Sequence, residues 1–259
     1  MTGLTPSPTP LAGALILAAG RGERMRPLTD QCPKPLLRVQ GKPLMEWTAE
    51  ALARGGCARV AVNTAWLEER ISAYFGDQFR LESPEINHGQ LSFSYSPEGR
   101  DFGRALETLG GVCRALPLLD DPFWVVAGDV FMPEFAFTQA AVARFVASGM
   151  LAHLWLVPNP PHKPQGDFAI AGDGQALDEP RHTFSTVALY RRALFEPPWC
   201  EIPYGNPRGV AAPLAPLLRR AIAGGRVSAE LYNGPWTDVG TPERLAALQN
   251  DASSPLTHP

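Results

Sequence analysis

The chain has 259 residues, 45% of them hydrophobic, enough to bury the core of one large domain or two small ones. A formal charge of −3 provides no global basic field, so nucleic acid is excluded as an expected partner and any anion site must be local. Four scattered cysteines without a CxxC pair read as reduced thiols. MTGLTPSPTP has no basic or long apolar part of a signal peptide, and no run nears the ~18 apolar residues of a membrane span, so a cytoplasmic protein without membrane contact is expected.

In chain order, ALILAA (14–19) is a short continuous apolar run ended by Gly20, which predicts a strand buried on both faces. Leu44, Trp47, Ala51 and Leu52 form a helical stripe from Pro43 to Arg54, stopped by Gly55 and Gly56. RVAVN (59–63) predicts the next strand, and Leu67, Ile71 and Phe75 a second helix ending at Gly76. LSFSY (91–95) alternates like a strand with one solvated face. ALETLGGVCRAL (105–116) reads as a helix weakened by two glycines, and FWVVAGD (123–129) as another buried strand. LAHLWLV (151–157) and TFSTVALY (183–190) predict two more strands, and LAPLLRRAIAGG (214–225) a helix. The last helix starts at GTPERLAAL, with Thr241 as N-cap and Pro242 at the first helical position.

Strands alternating with helices of about ten residues mean crossover connections and a mostly parallel sheet. The expected architecture is one α/β domain over 12–250, with 158–212 forming a lobe over the sheet and the tails 1–11 and 251–259 flexible. Ligands of such sheets bind beyond the carboxyl ends of the strands, so the loop after the first strand is the natural anion site. There Gly20 and Gly22 remove Cβ atoms, Arg21, Arg24 and Arg26 follow closely, and Lys34 is pinned between Pro33 and Pro35. A dinucleotide G-x-G-x-x-G would need glycine where Met25 stands, and the P-loop pattern is absent. Two acids stand far off in sequence: Asp129 just past a buried strand, and Asp238 just before the last helix. Hard carboxylate oxygens of this kind suit Mg²⁺.

LAAGRGERMRPLTDQCPKPLL resembles the signature of the sugar-1-phosphate nucleotidyltransferases, L-A-A-G-x-G-x-R-x-x-P-x-T followed by P-K-P, and W-x-D-V-G-T resembles their ending. The resemblance implies a Rossmann-like domain of the nucleotide-diphospho-sugar transferase fold, in which a mixed, mostly parallel central sheet is flanked by helices. It implies a nucleoside triphosphate and a sugar 1-phosphate as partners, and a monomer or weak homo-oligomer. It makes Arg24 and Lys34 the catalytic phosphate cations and Asp129 and Asp238 the Mg²⁺ ligands. Ala18, Ala19, Gly20, Gly22, Glu98, Gly99 and Thr108 would border the nucleotide. The 158–212 lobe would then be the sugar side, with Asn159, Asp167 and Ser185 facing the sugar and His162 a further lining residue; plain loop turning is the competing reading for Asn159 and Asp167. His153 and His182 read as packed.

Pieces spread over 13–249, among them NTAWLEERI, YSPEG and AHLWLV, resemble the uridylyltransferases of peptidoglycan recycling that act on N-acetylmuramate 1-phosphate. UTP is the triphosphate this implies; mannose-1-phosphate guanylyltransferases share many of the pieces. Three departures bear on the pocket: the extra RDFGRA (100–105), Leu109 where a third glycine is expected, and Thr186 where glycine is expected after Phe184-Ser185. Each is expected to narrow or re-tune the nucleotide or sugar pocket. A non-catalytic regulatory protein binding nucleotide-sugars would have lost Arg24, Lys34 or an aspartate, and all four are present.

Overall fold

The computed structural model describes residues 12–80 and 90–251; the expected tails, apart from Asp251, lie outside the described residues. Strand β1 (Ala14–Leu17) runs into a loop of three short 3-10 turns, then β2 (Arg38–Val39), β3 (Lys42–Pro43) and helix α1 (Leu44–Arg54). Next come β4 (Arg59–Thr64), α2 (Glu68–Phe75), β5 (Gln78–Arg80), β6 (Gln90–Pro97), α3 (Glu98–Phe102) and α4 (Glu107–Ala115). The chain continues through β7 (Phe123–Ala127), β8 (Val130–Phe131), α5 (Gln139–Ser148), β9 (Ala152–Val157), β10 (Phe168–Ile170) and β11 (Ala176–Tyr190). It closes with α6 (Ala215–Ala223), β12 (Val227–Leu231), β13 (Thr237–Asp238) and α7 (Pro242–Asp251).

The large sheet runs β12-β9-β11-β7-β1-β4-β6-β5, with β10 hydrogen-bonded to β11 off that path. Its centre, β7-β1-β4-β6, is parallel, whereas β11 is antiparallel to both neighbours. The sheet is therefore mixed, as the family resemblance implied. Residues 158–212, read as a lobe over the sheet, instead place β11 inside it, between β9 and β7.

β1 is buried on both faces because alternate side chains leave a strand in opposite directions. Ile16 enters a core layer with Met45 and Leu52 of α1 and Val142 of α5. Leu15 enters the opposite layer with Val112 of α4 and Leu217 and Leu218 of α6. Each such fully buried aliphatic side chain contributes about 1.5–3 kcal/mol. A third cluster sets the site: Met25, Val39, Leu44, Phe131, Val239 and Leu248 pack together. Met25 is fully buried there, so the residue that breaks the dinucleotide pattern anchors the glycine loop against β8, β13 and α7. Among the described residues no helix is long and apolar enough to cross a membrane.

Candidate active site

The glycine loop leaves β1 at its carboxyl end. Ala18 is fixed first: its N–H donates to the Asn63 side-chain carbonyl at 2.8 Å, at the end of the adjacent strand. Beyond it, the backbone N–H groups of Ala19, Gly20, Arg21 and Gly22 have no acceptor among the described residues. Successive unsatisfied N–H groups in a turn form an anion-binding concavity. The two glycines do different work. A Cβ on Gly20 would meet no protein atom within 4 Å, so smallness there keeps open the cavity it lines. Gly22 has φ of 68° and would press a Cβ to 3.0 Å from Thr29; it shapes the turn and does not line the cavity.

Three arginines that look alike in sequence separate here. The Arg21 guanidinium lies 3.7 Å over the Trp66 ring and donates to the Thr29 carbonyl and to Asp30, both at 2.9 Å. Arg26 donates to the same Asp30 at 2.8 Å. Together they hold the Asp30 carboxyl below its usual range, Arg21 having the larger effect. Arg24 is exposed and pairs with no acid among the described residues. Its guanidinium lies over Gly240, in the loop that carries Asp238.

Asp129 and Asp238 are brought together by a two-stranded ribbon. β8 and β13 pair antiparallel, with Asp238 opposite Val130, and the Val239 N–H donates to the Asp129 carbonyl at 2.9 Å. Both carboxylates are cation-paired. Lys34, 9% exposed, contacts Asp129; Arg244 donates to Asp238 at 2.5 Å and His162 Nε2 lies 2.9 Å from it. Among the described residues no cluster of three or more His, Cys, Asp or Glu side chains is arranged to hold a metal. Carboxylate oxygens still fit Mg²⁺, which takes one or two from protein and completes its shell with phosphate and water; Asp129 and Asp238 line neighbouring cavities on the two sides of the ribbon's loops.

A cavity of about 450 Å³ opens between the sheet face and α4 and α6. Ala18, Gly20, Lys34, Asp129 and Thr108 line one end of it, and Lys163, Asp167, Phe184 and Thr186 continue its wall. Asp167 accepts from the Lys163 ammonium at 2.6 Å and from the Phe184 N–H at 2.9 Å. The remaining expected contacts stand behind the wall. Glu98 is fully buried, accepting from the Asn63 side chain and the Leu106 N–H, both at 2.7 Å; desolvation raises its pKa, against the lowering effect of those bonds. Gly99 allows α3 to approach the Ala65 carbonyl. Asn159 donates to the Pro164 and Arg181 carbonyls at 2.9 Å each and accepts from Thr183, bracketing the loop to β11. Ser185 is fully buried and donates to the Trp155 carbonyl at 2.6 Å. Of the histidines, His162 stands beside Asp238 rather than in this cavity. His153 packs on Trp155 and bonds Ser228.

The three departures resolve differently. Leu109 does not enter the pocket: its side chain joins the core beneath α4, and the close approaches fall to Gly110 and Gly111. RDFGRA also stays outside the cavity. Its Asp101 pairs with Arg114, Phe102 packs under Gly209, and Arg104 donates to the Gly209 carbonyl at 3.2 Å. Thr186 does line the cavity, at φ of 69° beside a register shift in β11, with its hydroxyl buried and unpaired. A left-handed β-branched residue is strained, whereas the glycine of the family pattern adopts this conformation freely. Thr186→Gly is expected to raise Tm by ~3 °C, since relief of ~1–3 kcal/mol of strain exceeds glycine's entropic cost of ~0.5–1 kcal/mol. An unchanged or lower Tm in thermal unfolding overturns this.

Sequence reasoning passed over Asn63, Lys163 and Arg244. Asn63 ends the predicted strand RVAVN, and an Asn at the carboxyl end of a central strand is the signal that would have found it. Arg244 follows Asp238 by six residues across a helix start, a spacing that carries no motif.

A family model described as nucleotidyl transferase matches residues 13–176. The chain is 43% identical over 242 residues to an N-acetylmuramate alpha-1-phosphate uridylyltransferase of Neisseria meningitidis, covering 91% of this chain and 96% of that one. A protein of the same description from Caulobacter vibrioides is 30% identical over 241 residues, covering 90% and 94%. A solved structure from Bacillus anthracis, described as a glucose-1-phosphate thymidylyltransferase in complex with a sucrose, superposes with a TM-score of 0.74 at 18% identity, covering 95% and 97%. The fold is that of the nucleotide-diphospho-sugar transferases.

Proposed function

The chain belongs to the nucleotidyl transferase family, and from that membership we propose that it joins UTP to N-acetylmuramate 1-phosphate, giving the UDP-sugar and pyrophosphate. The observation that carries the substrate pair is the 43% identity to the Neisseria meningitidis protein across nearly the whole of both chains. A cytoplasmic place in peptidoglycan recycling follows from the same reading.

The reaction is an in-line displacement between two anions. An oxygen of the sugar phosphate attacks the α-phosphorus, the bond from that phosphorus to the β-bridging oxygen breaks, and pyrophosphate departs with the electron pair. The protein's task is to hold the partners in line and offset their repulsion. The free N–H groups of Ala19 to Gly22 and the Arg24 guanidinium receive the triphosphate, with Ala18 and Thr108 on the wall beside the nucleoside. Lys34 donates to the phosphate end of the sugar. Asp129 and Asp238 would hold Mg²⁺, which supplies charge neutralisation to the phosphates. No side chain need remove a proton, because a phosphate monoester is already largely ionised near neutral pH.

Glu98 serves the nucleotide side indirectly: it orients Asn63, and Asn63 fixes the Ala18 N–H. Gly99, Asn159 and Ser185 support the walls, while Asp167 and Lys163 face the sugar. Leu109 offers no steric preference among bases, because it is packed in the core. The preference for UTP therefore rests on the relatives.

Pyrophosphate release with Mg²⁺ from a panel of triphosphates and sugar 1-phosphates tests the proposal. UTP with N-acetylmuramate 1-phosphate is expected to exceed GTP, dTTP and CTP by at least ~10-fold in kcat/KM, the scale set by leaving ~1–3 kcal/mol of buried polar contacts unmade. A tenfold preference for GTP with mannose 1-phosphate would move the chain to the guanylyltransferases. No release from any pair would leave a non-catalytic binding protein.

A further inference from the structure

The loop carrying Asp238 collects more positive charge than its acid can neutralise. α7 turns Arg244 back over that loop, where Nη1 donates to Asp238 at 2.5 Å. Its Nη2 and the Arg24 Nη2 both lie within 3.3 Å of the point a Cβ on Gly240 would occupy, which puts the two guanidinium groups within about 6 Å of each other. His162 Nε2 lies 2.7 Å from Arg244 Nη1 and 2.9 Å from Asp238. Asp238 is thus shared by Arg244 and His162, and the Arg24 guanidinium stands beside them with no acid of its own among the described residues. The other acid on the ribbon, Asp129, is engaged by Lys34.

Two like charges this close repel unless an anion joins them. Guanidinium forks in pairs match the oxygens of a diphosphate, which presents several acceptors over a short span. Gly240 leaves the forks room to approach, since any side chain there would collide with Arg244. Beside them opens a cavity of about 660 Å³ lined by His162, Trp236, Asp238, Thr241 and Arg244 among others.

We propose that Arg244 and Arg24 form a two-arginine clamp for the pyrophosphate leaving group, closing over Gly240. The clamp rests on the reading of the chain as an enzyme that consumes a nucleoside triphosphate. As the bond between the α-phosphorus and the bridging oxygen breaks, the departing oxygen gains negative charge, and the two guanidinium groups receive it. Arg244 is shared between this anion and Asp238.

Calorimetric titration with inorganic pyrophosphate in EDTA reads the clamp without turnover and without metal. Wild type is expected to bind, and Arg244→Gln and Arg24→Gln each to weaken the affinity at least ~10-fold, as loss of a charge-assisted hydrogen bond requires. Arg244→Lys keeps the charge but loses the fork, and falls between. Arg26→Gln, altering a guanidinium already paired with Asp30, matches wild type. Should Arg244→Gln fail to fold, as judged by its melting curve, the lysine variant carries the test. Absence of pyrophosphate binding by wild type overturns the clamp, as does an Arg244→Gln affinity within twofold of it; a role confined to shielding Asp238 gives that second result. The proposed reaction fails separately, through the absence of pyrophosphate release in the substrate panel.

Discussion

Asp129→Asn and Asp238→Asn each lower turnover by at least ~100-fold at saturating Mg²⁺, with the fold retained. The size follows from removing one preorganised charge from a site whose work is electrostatic, a loss of ~3 kcal/mol. The fold is retained because each residue belongs to the β8–β13 ribbon or its edge, and Asn keeps an oxygen able to accept from Lys34 or Arg244. The Asp129 carbonyl that receives the Val239 N–H is backbone and survives either change. Steady-state pyrophosphate release and a thermal melt, measured on the same samples, separate the outcomes. Activity within a few fold of wild type would sink the assignment of the acids to the phosphates. Activity and Tm collapsing together would make them structural.

The two acids show how far a sequence reaches. Their residue types and flanks were legible: a Gly-Asp after the apolar run FWVVA, and W-x-D-V-G-T before a capped helix. What was not legible was the ribbon that joins them. Strands of two residues have no periodicity, and their partner lies more than a hundred residues away. The glycine loop was legible in the same sense, because a buried run ended by glycine at the first strand of a parallel sheet has few other uses. Met25 could be read only as a break in a dinucleotide pattern; its anchoring role depends on Phe131, Val239 and Leu248 arriving from elsewhere.

The sugar side was harder for a physical reason. Asn159 and Ser185, like Glu98 on the expected nucleotide side, have the side chains a ligand contact needs, and the same side chains satisfy buried polar groups equally well. Which use is made depends on a register shift in β11 and on burial, and residue type reports neither. Leu109 reverses the case. Substitution at a glycine position suggested intrusion into the pocket, but the helix turns that side chain into the core and presents Gly110 and Gly111 to their neighbours. Thr186 alone among the departures keeps its expected place on the cavity wall, with a left-handed φ that glycine adopts without strain.

Arg24→Ala is expected to lower kcat/KM by at least ~100-fold, whereas Arg21→Ala changes it by no more than a few fold. The two stand three positions apart, and charge alone would rank them equally. Their surroundings do not. Arg21 is committed to the Trp66 face, the Thr29 carbonyl and Asp30, so its loss registers as stability: roughly 1 kcal/mol from the cation–π contact and a similar amount from the hydrogen bonds. Among the described residues Arg24 pairs with no acid, and it lies across Gly240 from Arg244, so its charge meets a phosphate without first breaking an ion pair. A free arginine facing a transferring phosphoryl group contributes several kcal/mol through contacts that strengthen as charge develops. Lys34→Ala separates the other half of the site, raising KM for the sugar phosphate more than for the triphosphate. It also leaves Asp129 without its cation, so some loss of kcat accompanies it. Kinetics with each substrate varied in turn, read beside melting temperatures, distinguish the three variants. If Arg21→Ala proves the more damaging to catalysis and Arg24→Ala the more damaging to stability, the register assigned to the loop is wrong, and with it the place of the triphosphate above Gly20.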